Sequence, residues 1–168
     1  MIEIDRPTDR DLTRDELREI ARQIAENPSL WSEHVAHDPS QRTYAELLRD
    51  DHLDVWLICW SQDHDTGFHD HDASSGAVAV VDGAVREERL ALGGEPTRRV
   101  ARAGDAFDFG AADIHRVLHH GDRPAVTVHV YSPPLVRMGS YLVEDDGTLQ
   151  RHSVSYEEEL RPLESATS

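Results

Sequence analysis

His69-Asp70-His71, followed later in the chain by His115, is the stretch on which the fold can be read. Histidines at i and i+2 on an extended strand project from one face, and the residue between them projects from the other. Two imidazoles therefore converge at this spacing, and a third from a later strand would complete one side of a metal site. Neutral nitrogen donors suit iron, zinc, copper or nickel better than magnesium or calcium. Imidazoles on inward-facing strand positions also need a cavity. A small double-sheet jelly roll supplies one and holds each side chain on a rigid strand.

The surrounding sequence has the pattern such a fold requires. From Asp54 onward, short β-rich runs fall at 54–61, 66–71, 76–82, 84–91, 98–102, 106–109, 114–119 and 125–131. Turn signals separate them: Asp82-Gly83, Gly93-Gly94, Gly104-Asp105 and His120-Gly121-Asp122. A last hairpin is expected across 140–143 and 149–154, turning at Asp145-Asp146-Gly147. The first fifty residues read as helical. Thr13 and Glu16 have capping-box spacing, Leu17, Ile20 and Ile24 recur at helical spacing, and Asn27-Pro28 stops the run. A second helical piece is expected over Thr43–Leu48. The expected architecture is one all-β domain over residues 1–168, with N-terminal helices (1–50) packed outside a jelly-roll barrel (54–157) and a polar, frayed tail.

Composition narrows the partners. The chain has 168 residues, enough for one domain with a real core, and a formal charge of −16 from 33 acidic and 17 basic residues. Nucleic acid or an anionic membrane would meet like charge, so neither is expected. Every basic residue is arginine, which excludes lysine Schiff-base chemistry. The one cysteine, Cys59, lies in the apolar run Val55–Trp60 and reads as a buried structural thiol, with no intramolecular disulfide possible. The first residues, MIEIDRPTDRDL, resemble neither a signal peptide nor an anchor, so a cytoplasmic monomer or small homo-oligomer is expected.

A second stretch is more specific: Ala125-Val126-Thr127-Val128-His129-Val130-Tyr131-Ser132-Pro133-Pro134. Thr127, His129 and Tyr131 alternate, share a face and can form a hydrogen-bonded relay. With the His-x-His pair, this strand resembles the Ser-x-His-x-Tyr-Ser-Pro-Pro strand of the thiol dioxygenases of the cysteine dioxygenase type, within the cupin superfamily. His69, His71, Gly83, Gly104 and His115 match the glycine and histidine spacings of the two cupin motifs, and Trp60 and His115-Arg116-Val117 fit as well. The usual cupin glutamate falls on Ser75 or Gly76, neither of which can bind metal through a side chain. Gly110, Ala112 and His119 replace the usual proline, glycine and asparagine. The resemblance covers roughly residues 42–135. It implies a cupin barrel and Fe(II) held by His69, His71 and His115 without a carboxylate. It also implies Tyr131 reaching substrate and oxygen, with His129 and Thr127 orienting it. Animal members cross-link that tyrosine to a cysteine whose position aligns with Gly76, so this chain resembles the bacterial type.

The implied reaction takes a small thiol and O2 to a sulfinate, with L-cysteine as the default substrate. In cysteine-specific relatives an arginine two residues after a tyrosine, in the helix before the first motif, binds the substrate carboxylate. Relatives acting on 3-mercaptopropionate carry glutamine there. Here Tyr44-Ala45-Glu46 puts Glu46 at that position, which would favour a cationic thiol such as cysteamine or ergothioneine. A shifted register would instead bring in Arg42 as a carboxylate clamp. Asp113, two residues before His115, is a possible fourth ligand. His34, His37, His52, His64, His119, His120 and His152 read as surface or packing residues. The non-oxidative alternative is a metal-binding cupin that holds zinc or nickel tightly and ignores O2.

Overall fold

A computed structural model describes residues 4–155, which form two antiparallel β-sheets with a helix laid against the outside of the first. In chain order the elements are α1 (Arg14–Ala25), β1 (Thr43–Arg49), β2 (Asp54–Trp60), β3 (Phe68–Asp70), β4 (Ser75–Asp82), β5 (Ala84–Arg89), β6 (Thr97–Arg102), β7 (Ala106–Phe109), β8 (His115–His119), β9 (Ala125–Ser132), β10 (Arg137–Val143) and β11 (Leu149–Ser155). The five-stranded sheet has the order β1-β2-β9-β4-β7, and the six-stranded sheet β11-β10-β3-β8-β5-β6. The double-sheet barrel expected from the sequence is present.

Alternation divides the core in two. Every residue of β2 and β9 is buried, because these strands are covered on both faces. Val55, Leu57 and Cys59 of β2, with Val126, Val128 and Val130 of β9, pack outward against Leu17, Ile20, Ala21 and Ile24 of α1. Trp56, Ile58 and Trp60, with Val78, Val80 and Tyr131, pack inward between the sheets. Thr127 and His129 share the inward face with Tyr131 by the same period of two. Thr13 caps α1: its hydroxyl accepts from the Glu16 N–H, and Glu16 accepts from the Thr13 N–H at 2.8 Å. The turn between β4 and β5 requires Gly83, whose φ is +69° and where a Cβ would sit 2.4 Å from the Pro124 carbonyl.

The N-terminal part departs from expectation. Residues 43–49 are strand, not helix, so the helical part is α1 followed by short 3-10 turns at Pro28–Leu30 and Ser32–His34. Leucine, alanine and glutamate favour a helix locally, but tertiary pairing overrides that preference. Thr43, Ala45 and Leu47 are partly buried while Tyr44 and Glu46 are exposed, and the segment pairs with β2 from Thr43↔Cys59 onward. The expected end of the barrel at residue 157, and the tail, lie outside the described residues. Among the described residues no helix is long and apolar enough to cross a membrane.

Candidate metal centre

Cross-strand pairing assembles the histidines. His69 on β3 is the register partner of His115 on β8, and His71 follows at the end of β3. The ring centroids lie 4.8 Å apart for His69 and His71, 4.7 Å for His69 and His115, and 5.1 Å for His71 and His115. One ligand atom from each falls within 4.8 Å of the others, and all three residues are buried. Burial pushes His69 down to about 4 and both His71 and His115 well below the ordinary imidazole range, with neighbouring imidazoles adding to the effect on the latter two. Neutral rings are the form that binds metal.

The donor atoms fit an ion. Neither nitrogen of His71 has a hydrogen-bond partner, and Nε2 of His115 has none either. Buried polar atoms are normally satisfied, so converging orphan nitrogens are the mark of a missing ligand. His69 Nδ1 is 3.0 Å from the Gly67 carbonyl, and His115 Nδ1 is 2.7 Å from Glu87 Oε1. Asp113 is not part of the cluster; its Oδ2 accepts from the Gly110 N–H at 2.8 Å and from Arg89 at 3.1 Å.

Asp70 anchors the metal strand from the opposite face. It accepts from the Gly139 N–H at 3.0 Å, from Tyr141 at 2.5 Å and from Arg151 Nε at 2.8 Å. Burial alone would raise its pKa, yet Arg151 and Tyr141 hold it well below the usual carboxylate range. The carboxylate thus ties β3 to β10 and β11.

The relay strand meets the histidines in one cavity. Arg42, Trp56, Ile58, Tyr131, Leu135 and Met138 line it together with the three imidazoles and His129. Trp60 Nε1 donates to Thr127 Oγ1 at 2.8 Å, Thr127 Oγ1 is 2.9 Å from His129 Nε2, and His129 Nδ1 is 3.2 Å from the Tyr131 hydroxyl. Burial, with Arg42 adding to it, pushes His129 down to about 3, so its ring is neutral. Gly76 allows Tyr131 its place: a Cβ there would lie 2.5 Å from the Phe109 ring and 2.9 Å from Tyr131 Cδ1.

The substrate-side residues separate. Arg42, just before β1, alternates with Tyr44 and Glu46 on that strand, but of the three only Arg42 lines the cavity. Arg42 is buried, with its guanidinium 5.4 Å from the Trp60 ring centre. Glu46 is exposed, and Tyr44 meets Trp56 edge-on at 5.9 Å. Sequence reasoning missed Glu87 and Trp60's place at the head of the relay. The signal for Glu87 was an acid two residues after Val85 on an alternating strand.

The buried imidazoles also make the metal-free protein acid-sensitive. A histidine held neutral has a folded pKa below its unfolded value, so between the two the unfolded chain binds the extra proton. Its stabilising contribution is full above the unfolded value and drains away as pH falls through the folded one. For His69, whose window runs from 6.5 down to about 4, the loss is on the order of 3 kcal/mol. Urea midpoints of metal-free protein should therefore fall steadily from about pH 6.5 downward. A flat profile would mean that the rings are charged or solvated in the folded state.

The family model for cysteine dioxygenase type I matches residues 8–142. Cysteine dioxygenase type 1 of Bos taurus is 24% identical over 133 residues, covering 71% of this chain. The match spans 65% of the bovine protein's length. A Thermus thermophilus protein of known structure superposes with a TM-score of 0.55 at 16% identity, over 61% of this chain and 93% of its own. A cupin superfamily protein from Desulfitobacterium hafniense superposes with a TM-score of 0.53 at 11% identity, over 64% and 91%. Both are likenesses of fold.

Proposed function

The chain belongs to the cysteine dioxygenase type I family, and from that premise we propose that it is an Fe(II)-dependent thiol dioxygenase acting on a small carboxylate-bearing thiol. L-cysteine is the default substrate and 3-mercaptopropionate its nearest competitor. The observation that carries this reading is one cavity holding both a carboxylate-free three-histidine cluster and the Trp60–Thr127–His129–Tyr131 relay.

His69, His71 and His115 would hold the ion. A ferrous ion bound there would supply a Lewis acid that favours the thiolate and the reducing power that O2 chemistry requires. The balance of the reaction is one thiol plus one O2 to one sulfinic acid, with both oxygen atoms on sulfur. Arg42 clamps the substrate carboxylate and so fixes the reach of the sulfur. Ile58, Val78, Val117, Leu135 and Met138 keep water away. Tyr131 donates a hydrogen bond at the reacting sulfur and oxygen, and His129 holds its hydroxyl in place.

Size and charge favour this substrate class. The space open to the centres of water-sized molecules is about 40 Å³. A single water needs roughly 10–15 Å³ by that measure, so the fit is to a small thiol and not to a bulky betaine such as ergothioneine. Among the described residues no carboxylate lines the cavity, so they offer a cationic thiol such as cysteamine no counter-charge.

Oxygen uptake and sulfinate formation with Fe(II) and a thiol panel test the reading. L-cysteine or 3-mercaptopropionate should turn over, and Arg42→Ala should lower kcat/KM for the acid thiols by roughly 30-fold while sparing cysteamine. No uptake with any thiol would defeat the proposal, and tight zinc or nickel with indifference to O2 would favour the non-oxidative cupin. An equal loss on every thiol would remove Arg42 from the carboxylate's path.

A further inference from the structure

The metal histidines are supported from behind in three unlike ways. His69 Nδ1 meets a neutral backbone carbonyl, that of Gly67, at 3.0 Å. His71 meets no polar group at either nitrogen. His115 hydrogen-bonds a charged group: its Nδ1 is 2.7 Å from Oε1 of Glu87, a carboxylate only 3% exposed. The same Oε1 accepts from Arg89 at 2.9 Å, and Oε2 accepts from Arg99 Nε at 2.7 Å.

We infer that Glu87, backed by Arg89 and Arg99, is a positioning residue of the metal centre that fixes the tautomer of His115 and makes it the strongest donor of the three. A carboxylate only accepts, so the His115 proton sits on Nδ1 and the lone pair on Nε2, the atom without a protein partner. The short bond to a charged acceptor holds the ring plane and raises the basicity of Nε2. Two guanidinium groups hydrogen-bond the buried Glu87 carboxylate and balance part of its charge, so less of that charge falls on His115. The position of the usual cupin glutamate, Ser75 or Gly76, is empty of acid. Negative charge reaches this centre one imidazole further out.

This inference rests on the metal-centre part of the proposed function and not on thiol oxidation. The simpler account is that Glu87 only ties β5 to β6. Glu88 supplies a matched control: it is 6% exposed, bonds Arg86 at 3.0 Å and Arg98 at 3.2 Å, and touches none of the three histidines. Arg99 supplies a second probe, because its guanidinium also lies 4.4 Å from the Phe107 ring centre, a contact that methionine can keep.

Cobalt(II) titration of the metal-free full chain against a competing chelator decides between the two accounts. Glu87→Gln should bind cobalt about 10–100-fold more weakly than wild type, with an altered visible spectrum. Glu88→Gln should bind as wild type does, even where urea shows a similar loss of stability in both. Arg99→Met, which leaves Glu87 in place with less compensating charge, should bind cobalt more tightly, and it serves if Glu87→Gln does not fold. Equal affinity in Glu87→Gln and wild type, equal weakening in Glu88→Gln, or weaker binding in Arg99→Met would each overturn the inference. Wild-type protein that binds no cobalt would overturn the metal centre along with it.

Discussion

Replacing His71 with leucine is expected to remove metal binding and the proposed thiol oxidation together, while the metal-free variant outlasts metal-free wild type in urea. The two effects have one cause. His71 is 1% exposed, and neither of its nitrogens has a hydrogen-bond partner. Its ring stacks on Phe109 at 4.4 Å and lies 5.4 Å from the Tyr131 ring. Burying a polar group without a partner costs about 1–3 kcal/mol, which the metal-free protein bears and a leucine of similar volume does not. A net gain of about 1–2 kcal/mol should follow, because the apolar contact with Phe109 is kept. Loss of an outer partner alone weakens a metal site about 10–100-fold, so loss of a ligand should cost about 10³-fold or more in metal affinity and activity. His115→Leu should not share the gain, because it takes a 2.7 Å hydrogen bond from the buried Glu87 carboxylate and leaves it only its arginines. Urea midpoints, metal content and oxygen uptake on the same preparations check the pair. A His71→Leu protein that keeps metal and turnover would remove this residue from the centre.

The legible parts of the molecule were those whose chemistry runs along one strand. His69 and His71 announce themselves at i, i+2, and the Thr127-His129-Tyr131 face follows from the same period. Thr127, His129 and Tyr131 lie on β9 as expected, and His69 lies on β3 with His71 one residue past its end. The strands from 54 onward fall within a few residues of their expected bounds, because glycine and aspartate turns punctuate them. What was not legible depends on pairing between distant segments. Residues 43–49 carry helix-forming composition, and only the partnership with β2 makes them a strand. That correction also separates the substrate-side candidates: a residue step that would rotate a helix face merely moves along one face of a strand, so Arg42 and Glu46 share a side and differ in depth. Glu87 escaped notice because its partner His115 lies on another strand and its charge is balanced by Arg99 on a third. A single sequence shows an acid in a charged run; only the pairing of β5 with β8 brings it diagonally to an imidazole.

Tyr131→Phe should lower turnover by about 10²–10³-fold and leave metal content as it is, the range seen when one preorganised donor is taken from a reacting oxygen. The direction of the relay explains the size of the effect. Trp60 Nε1 can only donate, so Thr127 Oγ1 accepts from it at 2.8 Å. The Thr127 hydroxyl proton then has two acceptors, His129 Nε2 at 2.9 Å and the Ile58 carbonyl at 3.4 Å, and the shorter contact wins. With Nε2 accepting, the neutral ring carries its proton on Nδ1 and donates to the Tyr131 oxygen at 3.2 Å. Tyr131 is thereby held as a donor toward the cavity that it lines with the three metal histidines. Phenylalanine keeps the ring, which is packed 6.2 Å from Phe109 and 5.4 Å from His71, and so preserves the walls of the metal cluster. It removes the hydroxyl and leaves the His129 Nδ1 proton without its acceptor, at a cost of about 1–3 kcal/mol in stability. Turnover that falls while KM and iron content hold would place the hydroxyl at the reacting atoms. Iron lost in parallel with turnover would instead make Tyr131 a packing wall for His71.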